Sequence, residues 1–207
     1  MTATLPDFDE LNNIRTTLST MLAEEVDSGA GMDSPHLNRK RFEDTIFELI
    51  TMGYVYGIEV AGLDLNVDLP VKAERMFEVA DKPTKGETFR DRMETHFDEY
   101  EQTQDSEMLV NQLSVIAETE THRSINTGSL DGAEEYQRQH PNVAVMKRWI
   151  TAGDERVRDT HDYLEGVEVP LGARFYTYDG DSALKPGDFM LAENNCGCRC
   201  VLRYTTT

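Results

Sequence analysis

At 207 residues the chain can bury a sizeable core, in one large domain or one domain with an appendage. Apolar residues make up 39% and charged residues 29%, a globular composition rather than a disordered one. A net charge of -19 with a pI near 4.5 repels phosphate, so neither DNA coating nor sequence-specific nucleic-acid binding is expected.

Residues 1–33 read as a flexible arm. It holds one amphipathic helix, because Leu11, Ile14, Leu18, Met21 and Leu22 recur at three- and four-residue steps. The first ten residues carry acidic side chains where a secretory leader needs basic ones, so no signal peptide and synthesis in the cytoplasm are expected. Ser34-Pro35 has the chemistry of a helix start. The apolar stripe Leu37, Phe42, Ile46, Leu49 and Ile50 follows, running to about Ala61, with Gly62 as the terminator. Leu49 to Ile58, the longest uncharged stretch within the helical front half, is only about half of a membrane span, so no membrane association is expected. Gly53 and Gly57, four apart, invite close approach of a second helix.

After a connector at 63–70, a short helix is expected over Val71 to Ala80. A charged helix over Gly86 to Gln104 should rest on the seam Phe89, Met93, Phe97 and Tyr100, with His96 an ordinary surface histidine beside it. The helix near Ser106 to Asn126 turns Leu109, Leu113 and Ile116 inward and then continues as a polar stripe of Thr119, Glu120, Arg123 and Asn126. Gly128 is expected to bend the chain before Ser129 to Gln139 resumes the helix, which His140-Pro141-Asn142 stops. Residues 34–140 therefore form a helical region.

The last part, 141–207, changes character. Val143 to Ile150 is a strand candidate, and Asp154 is placed to cap a helix with Val157, His161 and Leu164 on one face. Arg156 flanks that face, and Arg158 can reach back to Asp154. Short strands are expected at Val167 to Val169 and Phe175 to Tyr178, with turns at Asp179-Gly180 and at 185–188. A final strand from Cys196 to Tyr204 would set Cys196, Cys198, Cys200, Leu202 and Tyr204 on one face, with Arg199, Val201 and Arg203 on the other. The fold class is α+β: helical N-terminal two-thirds, then a small mixed α/β domain with short antiparallel strands.

Three groups of residues carry a resemblance. They are Thr119-Glu120-x-x-Arg123-x-x-Asn126-x-Gly128; the block from Lys147-Arg148-Trp149-Ile150 through Asp154-Glu155-Arg156-Val157-Arg158-Asp159-Thr160-His161 to Leu164 and Gly166; and Asn195-Cys196-Gly197-Cys198-Arg199-Cys200. Together they resemble the phage Mu protein F-like head morphogenesis family, minor head proteins of tailed phages. The resemblance implies a structural capsid protein rather than an enzyme, present in the virion in multiple copies and assembled in the host cytoplasm. It implies the portal protein, the major capsid protein or both as partners, and a part in head assembly and in genome packaging or ejection.

The polar residues of these blocks admit three readings. In the first, Glu120, Arg123, Trp149, Asp154, Arg156, Arg158, His161 and Arg199 form a structural network, with Asp154, Glu120 and backbone carbonyls as partners for the arginines. In the second, Cys196, Cys198, Cys200 and His161 supply thiolate and imidazole ligands to zinc, the strand bending at Gly197 so that they converge; two of the cysteines with His161 and one more ligand would meet a tetrahedron more easily. Three cysteines within five residues cannot staple distant parts of a fold, and a disulfide within Cys-x-Cys closes a strained ring. In the third, His161 is a general base and Arg156 or Arg158 stabilises an anion, as in a zinc-dependent or histidine-based nuclease or phage-borne effector enzyme.

Overall fold

The computed structural model describes residues 13–28, 37–84 and 86–207; Leu11, of the expected arm helix, and Ser34-Pro35 lie outside them. Helix α1 (Ile14–Ser28) buries Ile14, Leu18, Met21 and Leu22, the stripe its spacing predicts. Helix α2 (Arg39–Leu65) starts at Asn38, whose side chain accepts from the Arg41 N–H. It runs a turn past Gly62, because Asn66 takes the left-handed capping position at φ 54° and the Val67 N–H closes on the Gly62 carbonyl at 3.0 Å. Gly62 serves a different purpose: a Cβ there would lie 2.6 Å from the Val67 oxygen.

Helix α3 (Ala73–Asp81) is short. Helix α4 (Phe89–Thr103) opens on a reciprocal capping box between Thr88 and Asp91 and buries Phe89, Met93, Phe97 and Tyr100 along one seam. Helix α5 (Ser106–Gln139) is 34 residues long and unbroken, so Gly128 is not a bend. The physical reason is the crossing with α2. A Cβ on Gly57 would sit 2.0 Å from the Ile125 oxygen, and one on Gly128 would sit 2.0 Å from the Tyr54 oxygen. Each glycine admits the other helix's backbone, and the Ser124 hydroxyl donates to the Ile50 carbonyl across the same contact at 2.7 Å.

By length and hydropathy alone α2 could cross a membrane, which the count of uncharged residues did not anticipate, yet 61% of its most apolar window is buried inside the protein. Ile46, Ile50, Phe42 and Leu49 pack with α1, α4 and the first half of α5 in one cluster. A second cluster joins Ala61 and Leu65 of α2 and Leu130 and Ala133 of α5 to Val145, Trp149, Leu164, Phe175, Phe189, Leu202 and Tyr204.

Those last residues belong to a small module. Strands β1 (Val145–Ile150), β2 (Glu168–Pro170) and β5 (Val201–Thr206) form an antiparallel sheet in the order β2-β1-β5, with Trp149 opposite Leu202 and Arg148 opposite Glu168. A hairpin of β3 (Phe175–Tyr176) and β4 (Ser182–Ala183) lies beside it. Between β1 and β2 the chain makes a single helical turn, α6 (Asp159–Asp162).

Two expectations fail here. Asp154 caps no helix: its carboxylate accepts from the Arg156 N–H at 3.1 Å and its carbonyl from the Val157 N–H at 3.0 Å, a closed turn that ends before α6 begins. The cysteines are not in a strand. Cys196 and Cys198 donate their N–H groups to Ala192 and Asn195 in successive turns with Gly197 at φ 64°, and the strand starts only at Val201.

Candidate metal centre and the seam that holds it

The polar stripe of α5 is the seam between the helices and the module. Thr119 Oγ1 accepts from the Gly197 N–H at 3.3 Å, Asn126 Nδ2 donates to the Cys200 carbonyl at 3.0 Å, and the Ser129 and Tyr204 hydroxyls lie 3.1 Å apart. Three- and four-residue steps place these groups on one side of the helix. Between them, Gly187 rests its backbone on Arg123; a Cβ there would be 3.2 Å from the Arg123 Cβ.

Glu120, buried, is held at 2.7 Å by Arg123 and at 2.5 Å by Arg92 of α4, while Arg123 also donates to the Val79 carbonyl at 3.1 Å. A buried carboxylate between two guanidinium groups is fully paired, which offsets its desolvation.

The cysteine-bearing loop is pinned from several directions. Asn195 brackets Phe189, accepting from its N–H at 2.9 Å and donating to its carbonyl at 2.7 Å. Asp181 gathers donors from Ser182 N–H, Met190 N–H, Leu191 N–H and Asn194 Nδ2 at 2.7 to 3.1 Å. Burial by itself would push the Asp181 carboxyl up; these donations outweigh it and hold it below the usual carboxylate range. Thr160 of α6 donates to Asn194 at 3.2 Å, and Arg158 donates to the Cys196 carbonyl. Arg199 grips Asp154 through two bonds of 2.5 and 2.7 Å, which lower that carboxyl to about 2.

This bracing brings His161, Cys198 and Cys200 together. The imidazole Nδ1 lies 3.6 Å from the Cys198 sulfur and 3.5 Å from the Cys200 sulfur, and the three donor atoms all lie within 4.8 Å of one another. All three residues are buried. Aromatic rings fix the imidazole: Phe189 stacks on it at 5.3 Å, Trp149 meets it edge-on at 5.6 Å, and Phe175 packs against Trp149 at 5.2 Å.

The two sulfurs divide their protons unequally. A hydrogen bond from Cys200, with a further contribution from His161, holds the Cys198 thiol well below its ordinary range despite burial. Cys200 is pushed far up, because it bonds the Cys198 sulfur and a second negative charge beside the first would be unscreened. The recess beside Cys200, lined by Ala152, Arg156, Val157, Arg158, Gly197 and Arg199, holds about 10 Å³, room for one water rather than a substrate.

The structure thus separates residues that the sequence grouped. Cys196 is exposed and stands outside the cluster that the other two cysteines form with His161. Arg158 bonds a carbonyl rather than Asp154, whose partner is Arg199, and Arg156 is exposed. Arg123 belongs to a centre at Glu120 and Arg199 to another at Asp154, while Arg158 serves the Cys196 carbonyl.

Several residues escaped the sequence reading. Arg92 enters the sequence reading only as part of a charged helix, and Asp181, one residue past the Asp179-Gly180 turn, does not enter it. Lys147 lies on the buried face of β1 between Val145 and Trp149, donates to the Leu184 carbonyl at 2.7 Å, and is driven by burial down to about 8. Its place in the period-two pattern of β1 was the available signal. Asp64 receives Arg203 and the Tyr204 N–H at 2.8 and 2.9 Å, tying α2 to β5. His122, behind Cys198, is lowered by burial, and its Nδ1 bonds nothing among the described residues.

Comparison with known proteins bears on this same region. The profile of the phage Mu protein F like protein family matches residues 80–203. The chain belongs to that family. The match takes in α4, α5 and the cysteine-bearing module as far as Arg203, within β5. Among curated proteins, this Mu F-like chain is 33% identical over 90 residues to the minor head protein GP7 of Bacillus phage SPP1, covering 44% of this chain and 28% of that protein. It is 32% identical over 98 residues to the NAD(+)–arginine ADP-ribosyltransferase EFV of Enterococcus faecalis, covering 47% of this chain and 20% of that protein. The matched region thus spans under a third of the length of either relative. No solved structure matches.

Proposed function

We propose that this chain is a structural minor head protein of a tailed phage, residing in the virion head. It takes part in head assembly and in genome packaging or delivery, in multiple copies, after assembly in the host cytoplasm. The portal protein, the major capsid protein or both are its partners. The observation that carries the reading is the way the family's residues are used: Thr119, Glu120, Arg123, Asn126, Asp154, Arg158 and Arg199 are spent on bonds within the molecule. Arg158 and Arg199 also border the recess beside Cys200, which has room for about one water, and His161 itself is buried. The likeness to the SPP1 minor head protein supports the same reading.

The relative named as an ADP-ribosyltransferase favours a second reading, an effector enzyme carried by a phage. Against it, four-fifths of that protein lies outside the matched region. Two experiments separate them. Purified phage heads should carry the chain through gradient sedimentation, and its absence from heads would overturn the structural reading. Purified protein incubated with NAD+ and an arginine-bearing acceptor, or with nucleic acid, should leave both unchanged. Turnover that disappears in a folded His161→Ala variant would establish the enzyme instead.

A further inference from the structure

We propose that His161, Cys198 and Cys200 bind one zinc ion, through the imidazole Nδ1 and two thiolates, with Cys196 outside the site. This goes beyond the head-protein reading and does not depend on it. In a tetrahedron built with zinc–sulfur and zinc–nitrogen bonds of about 2.3 and about 2.05 Å, sulfur and nitrogen stand about 3.6 Å apart. The observed separations are 3.6 and 3.5 Å.

Hydrogen bonding alone accounts for this arrangement less well. The neutral imidazole Nδ1 has one lone pair or one proton, so it can serve one sulfur well and not two at equal distance. A cation between the three atoms is shared by all of them. The donor set is also selective: two soft sulfurs and an imidazole suit zinc and exclude calcium and magnesium.

The surroundings have the character of a metal site. His161 is held by rings on two sides, so its Nδ1 is aimed before any ion arrives. Asn126 Nδ2 donates to the Cys200 carbonyl, and the Cys198 N–H to Asn195, so both cysteines are set by neighbours rather than by the ion alone.

Among the described residues no fourth His, Cys, Asp or Glu joins the group, so the fourth position falls to a water. The recess at Cys200 has the volume for one. Zinc takes both sulfurs as thiolates, and any thiol proton they still carry passes to solvent, with no change of oxidation state. The ion would link α6 to the segment just before β5, 37 and 39 residues apart along the chain, where the Cys-x-Cys spacing offers no useful disulfide.

The test uses the full untagged chain, purified under reductant without chelator. Elemental analysis should give one zinc per chain. After removal of zinc, titration with Co2+ should saturate at one equivalent, with the sulfur-to-cobalt charge-transfer absorption and the intense visible bands of tetrahedral cobalt thiolate. Cys196→Ser should keep both signals; Cys198→Ser and Cys200→Ser should lose stoichiometric metal. Where those two variants fail to fold, the wild-type cobalt spectrum decides, since it requires no substitution. Absence of stoichiometric zinc together with absence of a thiolate–cobalt band would overturn the proposal. So would loss of metal in Cys196→Ser equal to that in Cys200→Ser.

Discussion

Replacing Gly57 with alanine should damage this protein more than any other single-methyl addition along α2. The added Cβ would lie 2.0 Å from the Ile125 oxygen, 2.8 Å from the Ser129 nitrogen and 2.9 Å from the Ile125 carbonyl carbon. Ordinary contact begins at 3.4 Å, so α2 and α5 must part by more than an ångström. All three atoms are backbone, and no rotamer change relieves the clash. Overpacking of this kind costs up to about 3 kcal/mol. Alanine gives back about 1 kcal/mol through its higher helix propensity. The net loss is about 2 kcal/mol, a fall in Tm of roughly 4 to 8 °C for a chain of this size. Gly53→Ala is the internal control, because its closest contacts are the Thr121 methyl at 3.0 Å and the Thr121 oxygen at 3.1 Å, which a shift of a few tenths of an ångström relieves. There the propensity gain and the strain should nearly cancel. Guanidinium denaturation of both variants and the wild type reads the difference. A Gly57→Ala protein within about 0.5 kcal/mol of wild type, or less destabilised than Gly53→Ala, would refute the close-crossing argument.

Glu120→Ala leaves Arg92 and the buried Arg123 without their carboxylate and should cost about 3 to 5 kcal/mol in the same denaturation assay; a loss under about 1 kcal/mol would mean that water takes its place. Lys147 is pushed down to about 8, so between that pH and the ordinary lysine value of 10.5 the unfolded chain binds more protons than the folded one. Stability should therefore rise with pH through that window. Lys147→Met should be the more stable protein at pH 7, by about 1 to 2 kcal/mol after allowing for solvent screening, with the advantage fading by pH 10; a pH-independent difference would contradict it. The Asp181 carboxyl is lowered, so its stabilisation is present above the unfolded value of 3.8 and is lost as pH falls through the folded one. Asp181→Asn should destabilise the cysteine loop at neutral pH, by about 1 to 3 kcal/mol, and that deficit should shrink in acid melts.

The helices were legible where apolar spacing is regular. Phe89, Met93, Phe97 and Tyr100 predict their own burial, and Thr119, Glu120, Arg123 and Asn126 announce a polar face on an otherwise apolar helix. What that face met was not legible, because the partners Gly187, Gly197, Cys200 and Arg92 come from far along the chain. Gly128 shows the limit of local reasoning: low helix propensity suggested a bend, but the contact with Tyr54 uses the missing side chain and keeps the helix straight. The cysteines show another limit. Period-two alternation places three of them on one strand face, whereas Gly197 in the left-handed region turns the chain, so that Cys198 and Cys200 face His161 and Cys196 faces solvent.

The family match begins at residue 80 and so leaves out α1 and α2. Yet α2 provides what the matched region needs to stand. Its Gly57 receives the α5 backbone, its Ile50 carbonyl takes the Ser124 hydroxyl, and its Asp64 holds Arg203 and the Tyr204 N–H in the middle of β5. Ala61 and Leu65 complete the apolar cluster around Trp149. The module that carries the cysteines is therefore braced twice, once by the stripe on α5 inside the family's own span and once by the end of α2 outside it.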